Sequence, residues 1–156
     1  MGVALTGDWN KIIKKWRDLK TIKDLHRRAL KEIGSYLSSI IRQNILLRGR
    51  LLDAPFVPNA PLTIKLKGHT SPLIGHTGKL AKSANYTVIN DTTIFVGVSR
   101  EEKGLNIAEM LEYGWVMSTP YGGVRIVPAR PYVSPILKSN FVKEEIKKIY
   151  FRILSQ

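Results

Sequence analysis

Residues 21–47, TIKDLHRRALKEIGSYLSSIIRQNILL, set Ile22, Leu25, Ala29, Ile33, Tyr36, Leu37, Ile40 and Ile41 at three- and four-residue steps. At 3.6 residues per turn such positions return to one face, so the stripe reads as an amphipathic helix. Gly34 in its middle invites a helix-turn-helix reading, but a turn would reset the phase and the stripe passes through unbroken. The spacing predicts one long helix, with Gly34 costing it about 1 kcal/mol relative to alanine. A helix with so long an apolar face must be covered by other elements, which dictates a layered fold. Thr21 is expected to open it, with Asp24 three residues on completing a capping arrangement. Ahead of it, Asp8 is expected to cap a separate short helix, DWNKIIKKWRDLK, with Trp9, Ile12, Ile13, Trp16 and Leu19 on one face and bases on the other.

Beyond Ile45 the segment LRGRLLDAPFVPNAP holds Gly49, Pro55, Pro58 and Pro61, which no helix continues through, and reads as a surface connection. PLTIKLKG follows as a short helix, with Asn59 as its cap, Pro61 in its first turn and Gly68 at its end. Thr77 is expected to cap a single turn, GKLAKS. ANYTVI and TIFVGVS then form a hairpin around Asn90, Asp91 and Thr92, with Tyr86 and Val88 opposite Ile94, Val96 and Val98. NIAEMLEYG is a helix capped by Asn106 and stopped by Gly114, and WVMSTPYGGVRIVPA a second hairpin with Pro120 to Gly123 at its tip. A C-terminal helix is expected from Pro131, interrupted early by Pro135, with Ile136, Leu137, Phe141, Ile146, Ile149, Tyr150 and Ile153 on its apolar face. The order of elements is that of an α+β fold: a small antiparallel β-sheet built from two hairpins, packed against a long N-terminal helix and a C-terminal helix.

A chain of 156 residues, 44% hydrophobic, is long enough for one domain with its own core and too short for two ordinary ones. We divide that domain into a basic helical part (1–57), a middle α+β part (58–138) and the C-terminal helix (139–156). The formal net charge is +13, and residues 1–50 carry 12 basic against 4 acidic side chains. Such asymmetry points to a polyanionic neighbour, with Lys14, Lys15, Arg27, Arg28 and Lys31 as candidates for non-specific DNA contact. There is no cysteine, which excludes disulfides and thiolate metal sites. The opening residues lack a signal-peptide pattern and no run approaches 18 apolar residues, so a cytoplasmic protein without a membrane partner is expected.

The residues that do chemistry do not assemble into a pattern. His69 and His76 have no acidic neighbour between Asp53 and Asp91 to complete a metal site, and His26 is followed by two arginines. Glu109 and Glu112 lie three apart on one helix without a partner to make them acid and base. GHTGKLAKS has the wrong glycine spacing for a phosphate loop, and Leu80 stands where Ser or Thr is required. The expectation is a protein without catalytic residues, metal or cofactor.

Three fragments carry a resemblance. PNAPLTIKLKGHTSPLIGHTGKLAKS holds Pro58, Asn59, Pro61, Thr63, Pro72, Leu73, Ile74, Thr77, Gly78, Leu80 and Ser83; IAEMLEYG holds Ala108, Glu112 and Gly114; VPARPYV holds Pro128, Ala129, Arg130, Pro131 and Tyr132. In order and spacing they resemble the phage virion-morphogenesis and tail-completion families, the Mu-like and HK97-like minor tail or neck proteins, over residues 58–138. The resemblance implies a non-enzymatic structural protein of the virion tail or neck, assembled in the host cytoplasm. It implies a homo-oligomeric, hexameric ring that contacts tail-tube and neck or connector proteins. Within the motifs, Thr77 is expected as a cap, Gly78 as the tight entry and Leu80 as the anchor of the first hairpin. Arg130 is expected to pair with Glu112, between prolines that fix the exit of the last helix. Loops 99–106 and 117–123 are expected to be poorly packed in one copy and buried on assembly.

Overall fold

In the computed structural model, which describes residues 9–74, 77–118 and 122–155, the two helices expected on either side of Thr21 are one. Helix α1 runs Trp9–Leu46, about 57 Å at 1.5 Å per residue. Thr21 opens nothing: its hydroxyl donates to the Arg17 carbonyl one turn back, at 3.0 Å, as a threonine inside a helix does. The helix-turn-helix alternative falls with the same continuity. Asp8, the expected cap, lies outside the described residues.

Gly34 has a packing reason that its position in the sequence does not disclose. A Cβ there would stand 2.6 Å from Cγ of Tyr86 and closer still to Cδ2. The missing side chain lets the first hairpin lie against the helix. That hairpin is β1 (Ala84–Asn90) with β2 (Thr93–Val98), paired Ala84 to Val98, Tyr86 to Val96 and Val88 to Ile94, as the alternation predicts. Ile94, Val96 and Val98 pack against the core formed by Ala29, Ile33, Leu37, Ile41 and Ile45 of α1.

The α+β class holds, and among the described residues the strands form three separate two-stranded antiparallel ribbons. After the first hairpin, β3 (Glu101–Glu102) pairs with β4 (Leu105–Asn106), and β5 (Trp115–Ser118) with β6 (Val124–Val127). Two-residue strands are too short to show an alternation, so β3 and β4 leave no trace in the sequence. Pro120 and Tyr121, at the expected tip of the last hairpin, lie outside the described residues.

Short helices join these parts. Helix α2 is Pro61–Lys67, with Pro61 in its first turn and Gly68 closing it in the left-handed conformation, but Ala60 and not Asn59 stands at its N-cap. In α3 (Lys79–Lys82) the N-cap is Gly78, at φ 60°, without a side-chain cap, so the capping role expected of Thr77 is not fulfilled. Leu80 does anchor this turn, almost fully buried, and Arg42 of α1 donates to the carbonyls of Ala81 and Ala84 at its end, both at 3.3 Å. Helix α4 is Ile107–Tyr113, capped by the Asn106 side chain, which accepts from the Glu109 amide at 3.2 Å.

The C-terminal helix is two: α5 (Ser134–Lys138) and α6 (Asn140–Leu154), separated by an extended Ser139. Pro135 sits in the first turn of α5 and does not interrupt it. The break at Ser139 shifts the helical phase, so Val142 is buried while Leu137 and Phe141, expected inside, are exposed. Tyr150 meets His26 at 2.8 Å and Glu145 lies near Tyr36, so α6 runs back along α1 in the opposite sense.

Candidate functional site

Of the matched motif residues, Asn59, Ala108, Glu112, Arg130 and Tyr132 meet in a buried polar clasp beneath α1. Glu112, at the end of α4, is 6% exposed, and its carboxylate accepts from the backbone amides of Tyr132 (2.8 Å), Val133 (3.1 Å) and Ser134 (2.9 Å) and from the Ser134 hydroxyl. The first turn of a helix has no intrahelical partners for its amides. Glu112 supplies them for α5 from 22 residues away in the chain, as a cap side chain would locally. An acceptor so fully used cannot also serve as a general base.

The ion pair expected between Arg130 and Glu112 does not form. Arg130 is 5% exposed; its Nε donates to the Val57 carbonyl at 2.8 Å and its Nη2 to the Pro58 carbonyl at 3.1 Å and Asn59 Oδ1 at 3.4 Å. Its own amide donates to the Leu111 carbonyl at 2.9 Å. The guanidinium's fixed fork suits several carbonyls on one bend of chain as well as a carboxylate, and burial pulls its pKa down. Asn59 completes the bend by donating to the Ser71 carbonyl at 3.1 Å, which explains why it does not cap α2.

Tyr132 joins the other three parts of the clasp. Its hydroxyl donates to the Ala108 carbonyl at 2.8 Å, its amide to Glu112, and its carbonyl accepts from Asn44 Nδ2 of α1 at 3.1 Å. Burial, and then the nearby Glu112 charge, push the phenol far above its ordinary range. Gly114, φ 76° and ψ 170°, turns the chain from α4 into β5 in a region open only to glycine. A Cβ there would stand 2.8 Å from the Ala129 amide nitrogen. Pro128 and Pro131 flank Arg130 on the surface.

Thr77, Gly78 and Leu80 belong to the base of the first hairpin and not to the clasp. Thr77 is exposed and makes none of its bonds. Of the candidate DNA contacts, Lys14, Arg27, Arg28 and Lys31 are exposed along α1, and the side chain of Lys15 lies outside the described residues. Residues 101–106, expected as a loop, form the β3–β4 ribbon and are exposed, as are Met117, Ser118 and Gly122 of the last hairpin. Glu109 is exposed and accepts from Asn106 Nδ2, Glu112 is buried in the clasp, and His26 faces Tyr150, while His76 lies outside the described residues. Among the described residues no three His, Asp or Glu side chains gather as metal ligands would. The sequence reading missed Asn44, whose signal was a polar residue on the apolar face of α1, and Ser134, which had none.

No protein-family profile, curated protein or solved structure matches the chain.

Proposed function

We propose that this chain is a structural phage protein for tail completion or head–tail joining, working as a homo-oligomeric ring against tail-tube and neck proteins. What supports the reading is that residues from each of the three fragments carrying the resemblance are tied together inside the fold. Asn59 from the first, Ala108 and Glu112 from the second, and Arg130 and Tyr132 from the third are joined by buried hydrogen bonds. The clasp sets the angle at which β5–β6 and α5 leave the body, and the hairpin so presented has Val116, Val124 and Ile126 exposed on its outer face. An isolated two-stranded ribbon is marginal in water and gains by being covered.

The test is assembly. Purified chain mixed with tail-tube protein is expected to form closed rings or capped tubes in electron micrographs and in native mass spectra. Monomers alone, at all concentrations and beside tube protein, would overturn the reading. A second reading, a basic DNA-binding protein, draws on the exposed Lys14, Arg27, Arg28 and Lys31 of α1. It requires a duplex gel shift that weakens steeply with salt, because bound phosphates release counterions. No shift at low salt removes it.

A further inference from the structure

The last hairpin overhangs a cleft of about 440 Å³. Strand β5 lines it with Trp115 and Met117, α2 with Thr63 and Lys67, and the clasp with Asn59 and Arg130. Strand β6 touches it with three residues in succession, Arg125, Ile126 and Val127. Successive side chains of a strand point to opposite faces, so a cavity that meets three in a row runs along the strand's edge. Among the described residues β6 has β5 as its partner on one side and no strand on the other. Such an open edge is a template for an added strand.

Charge says what kind of strand. The described residues lining the cleft include Lys67, Arg125 and Arg130 and no Asp or Glu. None of the three stands in an ion pair among the described residues. Arg100 already holds Glu102, and Glu112 is spent on the start of α5. Burial, and then the charges of Arg130 and Arg100, hold the Lys67 ammonium below the usual lysine range. An anion among these cations relieves that repulsion. The rest of the wall is mostly apolar, with Leu111, Trp115 and Val127. A carboxylate in a protein segment brings apolar neighbours to cover such a wall, and a free phosphate does not. We infer that the cleft receives an Asp or Glu of an extended segment of a partner protein, laid as an added strand along β6. The segment belongs to a different protein, because the described acids of this chain lie on helices, in tight turns or in the β3–β4 ribbon. Strand addition of this kind works on a single copy and takes nothing from the tail reading.

Selection of random linear peptides displayed against the full chain tests it. Enriched peptides are expected to carry an acid among β-branched or aromatic residues. The tightest of them, made synthetically, is expected to bind about tenfold more weakly once its acid is changed to the amide. Arg125 is exposed, so Arg125→Glu should lose about tenfold in affinity while its melting temperature stays that of the unaltered chain. Lys67→Met should weaken binding about threefold or more. With the peptide bound, amides within residues 124–127 should exchange more slowly with deuterium, as those of a newly paired strand do. No enriched peptide, peptides without an acid, affinity indifferent to both substitutions, or unchanged exchange at 124–127 would each overturn the proposal. So would inorganic phosphate or a single-stranded oligonucleotide binding more tightly than the peptide at physiological salt. Ring formation on tail tubes is read separately, so either proposal can fall alone.

Discussion

The clasp and the arm formed by the first half of α1 reverse the usual assignment of residues to inside and outside, in opposite ways. In the clasp a glutamate and an arginine are almost wholly buried; in the arm a tryptophan is 70% exposed with aliphatic neighbours on either side. The buried charges are compensated inside the chain, because Glu112 and Arg130 spend their hydrogen-bonding groups on backbone that would otherwise be unsatisfied. Among the described residues nothing comparable covers the arm. The clasp therefore bears on the stability of one copy, to which the exposed side chains of the arm add little.

Substitutions put this contrast to the test. The largest effect is expected for Glu112→Ala, which strips four hydrogen bonds from the start of α5. It should cost about 3 kcal/mol or more in urea unfolding, with Glu112→Gln losing less because an amide oxygen still accepts. Arg130→Met should follow at about 2 kcal/mol, since the Val57 and Pro58 carbonyls lose their donor while the apolar stem is kept.

Where the arm enters the body, Gly34→Ala sets two effects against each other. Alanine is better in a helix by about 1 kcal/mol, but overpacking against Tyr86 costs about 1–3 kcal/mol, so a net loss is expected. In a Tyr86→Ala background the same change should become stabilising, which a double-mutant cycle measures. Alkali should act next. The Tyr132 phenol is raised in the folded chain, so its contribution is complete below the unfolded value of 10.0 and is lost as pH rises above it. Melting temperature should fall above about pH 10, by about 1 kcal/mol of stability per pH unit, and Tyr132→Phe should flatten that part of the profile. The smallest effect belongs to the arm: Trp16→Ser should leave the unfolding free energy of one copy within about 0.5 kcal/mol. A loss as large as that of Glu112→Ala would mean that the arm is covered by its own chain, and the contrast would fail.

Much of the fold is legible where periodicity is strong. The passage of α1 through Gly34, the pairing of β1 with β2 and the bounds of α4 at Asn106 and Gly114 all follow from local spacing and capping. Local signals misled where two of them competed. Thr21 looks like a helix start, yet an uninterrupted run of helix formers on both sides leaves it no reason to break the chain. Asn59 looks like a cap until Arg130 and Ser71 arrive from distant positions to claim its side chain. The clasp was legible as a set of residues and not as a set of bonds. Arg130 and Glu112 were the right participants, and their partners proved to be backbone groups, which carry no letter in a sequence.

A long amphipathic helix, a paired ribbon and a basic beginning could be read from local order alone, since helical period, strand alternation and charge are properties of neighbouring residues. Which half of that helix is covered, why position 34 has no side chain, and that a glutamate caps a helix 22 residues away came from the packing of distant segments. Those outcomes depend on which backbone amides and carbonyls converge in space, and convergence is set by packing of the whole chain.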